Sequence, residues 1–148
     1  MKQLLVVGNT QGCYQELRQV ITDHPGNFFV HLGNIGFSHV LLKDMLVIGG
    51  SQDDSCLPHK VMMKIEGYNV LLLNGDLCGF LDAHTIVLCA KSLGCDIVFS
   101  ACLNQNMDSE INGVRIINIS NFYNGIQYAC ISFDNMQVTV KFKKELEE

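Results

Sequence analysis

A chain of 148 residues that is 48% hydrophobic and 17% charged is long enough to bury a core of its own and needs only one domain, spanning 1–148. A net charge of −5 disfavours a surface that tracks nucleic-acid phosphates, because such a surface needs clustered Lys and Arg. The first apolar run, Leu4 to Val7, is too short for an export signal or a membrane span, so a location in the cytoplasm is expected.

Leu4 to Val7 reads as a strand that ends at Gly8-Asn9-Thr10-Gln11-Gly12, and Leu17, Val20 and Ile21 at helical spacing place a helix after it. Phe28 to Leu32 and Met45 to Ile48 are two further strands, each running into a polar loop that carries glycine. Val61 to Ile65 and Val70 to Leu73 read as a hairpin turning at Gly67-Tyr68-Asn69. A helix from about Ala83 to Leu93 is stopped by Gly94 as its C-cap. Asp96 to Phe99 is the next buried strand, and Ser100 to Asn106 is a loop. Gly113 to Asn118, Gln127 to Phe133 and Gln137 to Phe142 read as an antiparallel meander. The mixed-charge run Lys141 to Glu148 reads as a solvated tail. Strands alternating with helices first, and antiparallel strands last, predict an α/β class with sheets inside and helices outside. In such folds ligands gather beyond the carboxyl ends of the strands.

Seven cysteines at irregular spacing form neither CxxC pairs nor a zinc ribbon, and most are expected to be reduced, buried apolar side chains. Taken singly, Asn9, Asn34 and Asn74 beside glycines are turn residues. Asp53 is expected to cap a turn or helix start, Cys102 to be a core thiol without an activating histidine, and His31 to be a partly buried histidine hydrogen-bonded beneath the loops. The other four histidines, His24, His39, His59 and His84, are expected on surfaces or helix ends.

Taken together, the strand-end loops carry more. In order they are Asn9-Thr10-Gln11-Gly12, His31-Leu32-Gly33-Asn34, Gly50-Ser51-Gln52-Asp53, Asn74-Gly75-Asp76 and Ala101-Cys102-Leu103-Asn104. They resemble, one after another, the D-x-H-G, H-L-G-D, G-N-x-D, H-G-H and G-H-T-H signatures of the calcineurin-like metallophosphoesterase superfamily, in its minimal bacterial and archaeal phosphodiesterase form. Asn112-Gly113-Val114 and Ile116-Ile117-Asn118 resemble the flanking N-G-V … I-N-P-G-S, with Ile119-Ser120 where Pro-Gly would stand. The resemblance covers nearly the whole chain and implies an α/β/β/α sandwich of mixed sheets with helices outside.

It also implies a chemistry, in which two divalent ions such as manganese activate a hydroxide and neutralise phosphoryl charge. The family's ligand positions fall on Asn9, Gln11, Asn34, Ser51, Asn74, Cys102 and Asn104, and none keeps the family's residue. Amides and a hydroxyl are neutral, weak donors for a transition metal. Asp53 and Asp76 are the carboxylates within these motifs, at positions that are not ligands in the family pattern. The substitutions keep size and hydrogen-bonding capacity while deleting charge or metal affinity, so the polar shell is able to satisfy itself.

No metal or other cofactor is therefore expected. The expected function is that of a pseudoenzyme that binds a protein partner or a small ligand, with self-association left open and with no nucleic acid or membrane involved. The alternative is a metal-dependent phosphodiesterase or phosphatase with an unconventional arrangement, built for example from Asp53, Asp76, Cys102 and a histidine from elsewhere. A third reading, an anion binder using amides and backbone N–H groups, is weakened because no Lys or Arg falls in the five motifs.

Overall fold

The computed structural model describes residues 2–79, 82–121, 125–134 and 137–145. Within them lie strands β1 (Lys2–Val7), β2 (Phe28–His31), β3 (Leu46–Val47), β4 (Lys60–Ile65), β5 (Tyr68–Leu73), β6 (Ile97–Ser100), β7 (Met107–Ile111), β8 (Val114–Asn118), β9 (Ile126–Phe133) and β10 (Val138–Glu145). Helices α1 (Tyr14–Thr22) and α2 (Ala83–Ser92) complete the frame, with short 3-10 turns at His39–Leu41 and Asp76–Cys78.

The strands form two five-stranded sheets, ordered β10-β9-β1-β2-β3 and β4-β5-β6-β8-β7. β1, β2 and β3 run parallel in the first sheet, and β5, β6 and β8 in the second. The continuous apolar runs follow from this. In β1, Leu4 and Val6 face the cluster between the sheets, while Leu5 and Val7 face a second cluster under α1. In β5, Leu72 faces between the sheets and Leu71 and Leu73 face α2. A strand buried on both faces has no polar alternation to show. The layers are thus α/β/β/α, as expected.

Both helices follow local rules. α1 buries Leu17, Val20 and Ile21 on one face. α2 begins at Asp82, whose carboxylate accepts the Thr85 N–H at 2.9 Å. It ends in a Schellman motif, in which the N–H groups of Gly94 and Cys95 reach the carbonyls of Lys91 and Ala90, with Gly94 at φ +74°. Among the described residues no helix is long and apolar enough to cross a membrane.

Four expectations need correction. The C-terminal strands are not one meander: β8 lies in the second sheet, parallel to β6, whereas β9 and β10 form a hairpin in the first sheet beside β1. β8 instead pairs antiparallel with β7, a strand not anticipated. The β4–β5 turn is the two-residue Glu66-Gly67, and Tyr68 and Asn69 already belong to β5. The charged run that read as a tail is strand as far as Glu145, since Lys141, Lys143 and Lys144 are in register with β9.

Candidate functional site

Strands β1, β2, β3, β5 and β6 end at the same edge of the sandwich, so the five motif loops meet there. Beneath them sits His31, fully buried rather than partly so. Its Nδ1 accepts the Gly33 N–H at 2.9 Å. The proton therefore resides on Nε2, which donates to Thr10 Oγ1 at 2.9 Å, and the Thr10 hydroxyl in turn donates to the Ile35 carbonyl at 2.8 Å. Burial lowers the His31 pKa to about 4 against the opposing pull of Asp53. His31 is a neutral strut that joins the first two loops.

Asp53 has the structural part expected of it. Its carboxylate accepts the backbone N–H of Asn34 at 2.6 Å, of Gly50 at 2.8 Å and of Ile35 at 3.0 Å. One side chain of the third loop thus fixes the second. The fit is close enough that a Cβ on Gly50 would strike the Asn34 side-chain amide.

Above this lies an amide network. Asn9 donates from Nδ2 to the Ala101 carbonyl at 3.0 Å, which turns its Oδ1 towards Asn34 and Asn74. Asn34 accepts the Gln52 N–H on Oδ1 at 3.1 Å, so its Nδ2 points inward and donates both to Asn9 Oδ1 and to Asp76 Oδ2, each at 2.9 Å. Asn74 Nδ2 reaches Asn9 Oδ1 at 3.3 Å. Asp76 also accepts from Ser51, through the backbone N–H at 3.1 Å and through the hydroxyl at 2.7 Å. Partial burial pushes the Asp76 carboxyl up, and the hydrogen bonds from Asn34, from the Ser51 side chain and from the Ser51 and Leu77 backbone outweigh it and hold the pKa below the usual value.

Four of the seven ligand positions, Asn9, Asn34, Ser51 and Asn74, are therefore brought together with Asp76. Of the other three, Gln11 and Asn104 are exposed, and Asn104 engages Ser120 through its backbone carbonyl. Cys102 is half-buried rather than a core thiol, packed against the α2 side of the second sheet, and its backbone carbonyl accepts from Asn121. Of the other described cysteine side chains, only Cys13 and Cys95 are buried. Asn9, Asn34 and Asn74 are more than turn residues, since their side chains are buried and mutually bonded.

Two contributors were not singled out beforehand. Thr10 carries the link from His31, and buried Asn118 accepts from Ser100 Oγ and donates to the Leu103 and Gln105 carbonyls, fixing the fifth loop. Asn118 stood in the flanking I-N match, which was its only signal.

This donor set does not fit two divalent ions. Asn34, where the family has its bridging carboxylate, turns an N–H inward, and the carboxylate it meets is Asp76 of the same chain. Among the described residues no three His, Cys, Asp or Glu side chains converge as metal ligands would. The polarity of the centre is reversed, with donors facing an internal anion. Beside it a cleft of about 520 Å³ is lined in part by Phe37, His39, Gln52, Asp53 and Asp54.

The layers and loop edge define the metallophosphoesterase-like sandwich, and solved structures share it. A predicted phosphoesterase from Streptococcus pneumoniae superposes with a TM-score of 0.75 at 15% identity, covering 99% of this chain and 94% of its own. Vacuolar Protein Sorting 29 from Cryptosporidium parvum gives 0.67 at 14% identity, covering 99% and 98%. An archaeal phosphodiesterase gives 0.70 at 12% identity, covering 95% and 99%. No family model matches the chain, and no curated protein matches its sequence.

Proposed function

We propose that this domain keeps the phosphoesterase frame without the hydrolytic chemistry and acts by binding a protein partner or a small ligand. The observation that carries the proposal is the Asn34 amide, which meets the Asp76 carboxylate at 2.9 Å where the family pattern has a bridging Asp. A metal at that point would have to displace an internal hydrogen bond and would face N–H groups in place of carboxylate oxygens. The fold does not oblige hydrolysis, because function lies in the site rather than the frame. Its neighbours include a sorting protein by name as well as phosphoesterases.

The alternative enzyme finds less support. Asp53 is occupied by three backbone N–H groups, Asp76 is held by Ser51 and Asn34, and among the described residues no three His, Cys, Asp or Glu side chains converge. Elemental analysis of the purified protein, with a bis-p-nitrophenyl phosphate assay under added manganese, tests the proposal. Neither stoichiometric manganese, iron or zinc nor metal-stimulated turnover is expected. Turnover that rises with manganese and disappears in Asp76→Ala would establish the alternative.

A further inference from the structure

Among the described residues β4 is an edge strand of the second sheet, paired with β5 and with no strand on its other side. Val61, Met63 and Ile65 pack into the cluster between the sheets. The strand's period of two then places Lys60, Met62 and Lys64 on the opposite face, towards the side that α2 covers further along the sheet. There Met62 is 58% exposed, and the C-cap of α2 adds Leu93 at 41%. A groove of about 350 Å³ runs between β4, β5 and the end of α2, lined by Met62, Lys64, Asn69, Leu93 and Cys95 among others, with no acidic side chain in its wall.

The ion pairs among the described residues engage Arg18 and Arg115, and neither Lys60 nor Lys64 takes part. In a chain with five more acidic than basic residues, two lysines outside those ion pairs bracket an exposed methionine. Lysine on an edge strand also guards against self-pairing. Antiparallel pairing of two copies about Met62 would set Lys60 of one against Lys64 of the other, and like charges directly opposite are destabilising. Protection alone leaves the exposed Met62 and Leu93 without a part to play.

We propose that β4 is a docking edge for an extended acidic segment of a partner protein, which adds to the second sheet as a further strand. Main-chain hydrogen bonds would supply affinity, and alternate side chains specificity. The complementary pattern is an acidic residue, any residue, an apolar residue, any residue and a second acidic residue. The two carboxylates lie opposite Lys60 and Lys64, and the apolar side chain meets Met62 at the mouth of the groove. The groove itself is lined by none of the residues of the amide network.

The test is an NMR titration of the isotope-labelled full chain with three synthetic peptides. The first is Thr-Glu-Thr-Leu-Thr-Glu-Thr, the second carries Lys at both Glu positions, and the third has the first peptide's composition with the two Glu adjacent. The first is expected to give saturable shifts on β4 and on the end of α2, and the other two are not. The paired charge reversal Lys60→Glu with Lys64→Glu is expected to weaken the first peptide by about tenfold and to create binding of the second. Absence of saturable shifts, shifts centred on β10, an equal response to the third peptide, or indifference to the charge reversal would each overturn the proposal.

Discussion

Asn34 decides the character of the strand-end centre, and its replacement has a calculable sign. In Asn34→Asp an oxygen takes the place of Nδ2 and faces Asp76 Oδ2 and Asn9 Oδ1, so acceptor meets acceptor at both contacts that the amide had bridged. The two carboxyls then share a proton, one pKa being raised. A raised carboxyl pKa costs stability as pH climbs above the unfolded value near 4, and the penalty levels off above the folded value. Asn34→Asp should therefore melt below wild type at pH 7 by roughly 1–3 kcal/mol, with the deficit shrinking towards pH 4. Adding Asp76→Asn restores a donor and should recover most of it. Melts of the single and double variants across pH decide the point, and a wild-type-like single variant would mean that the centre is open to water. His31 acts in the opposite direction. Its pKa of about 4 lies below the ordinary 6.5, so on acidification the unfolded chain takes up the proton first. Its share of stability is complete above about 6.5 and is lost between there and about 4, a loss of about 3 kcal/mol. Urea unfolding at several pH values measures it, and in His31→Asn this segment of the profile should flatten. The sequence already placed Asn9, Asn34 and Asn74 in the strand-end loops. It did not show that Asp76 turns inward, because that depends on the left-handed Gly75 and on the reach of Ser51 from another loop.

At the scale of elements, the two β-hairpins of the second sheet turn on two residues each, Glu66-Gly67 and Asn112-Gly113, all at positive φ. A tight hairpin turn of this form favours Asn-Gly, and Glu66 at φ +49° has the wrong residue for its place. Glu66→Asn should raise stability by about 0.5–1 kcal/mol, read as a higher urea midpoint at unchanged slope. A lower midpoint would mean that Glu66 makes a contact worth more than its backbone strain. The same turns explain what the sequence displayed and what it concealed. The strands β1, β5 and β6 stand out because burial on both faces makes their apolar runs continuous. β7 is Met-Asp-Ser-Glu-Ile, whose three central residues are exposed, so no apolar run marks it. The partner of β8 was also hidden, since an apolar run states that a strand is buried but not beside which strand. Parallel pairing with β6 and a crossover to the other sheet before β9 leave no local trace.

Across the whole molecule the two sheets share one core. Phe133 of β9 is fully buried in the cluster between the sheets, and its ring lies 5.9 Å from that of Tyr68 on β5 of the opposite sheet. Phe133→Ala should cost about 3–5 kcal/mol, and urea unfolding followed by fluorescence and by far-ultraviolet circular dichroism should still give one coincident transition. Separate transitions would show that the sheets unfold independently. The placing of β1 bears on how the chain is made as well as on how it melts. Leu5 pairs with Phe29 on one side but with Cys130 on the other, across most of the sequence. During synthesis β1, α1 and β2 emerge together, and β5, β6 and β8 follow, while one edge of β1 waits for β9. Until then an apolar strand meant to be covered on both sides offers an open edge, which is the condition for aggregation of a nascent chain. A chain halted before residue 126 should therefore aggregate more readily than one long enough for β9 to close the first sheet.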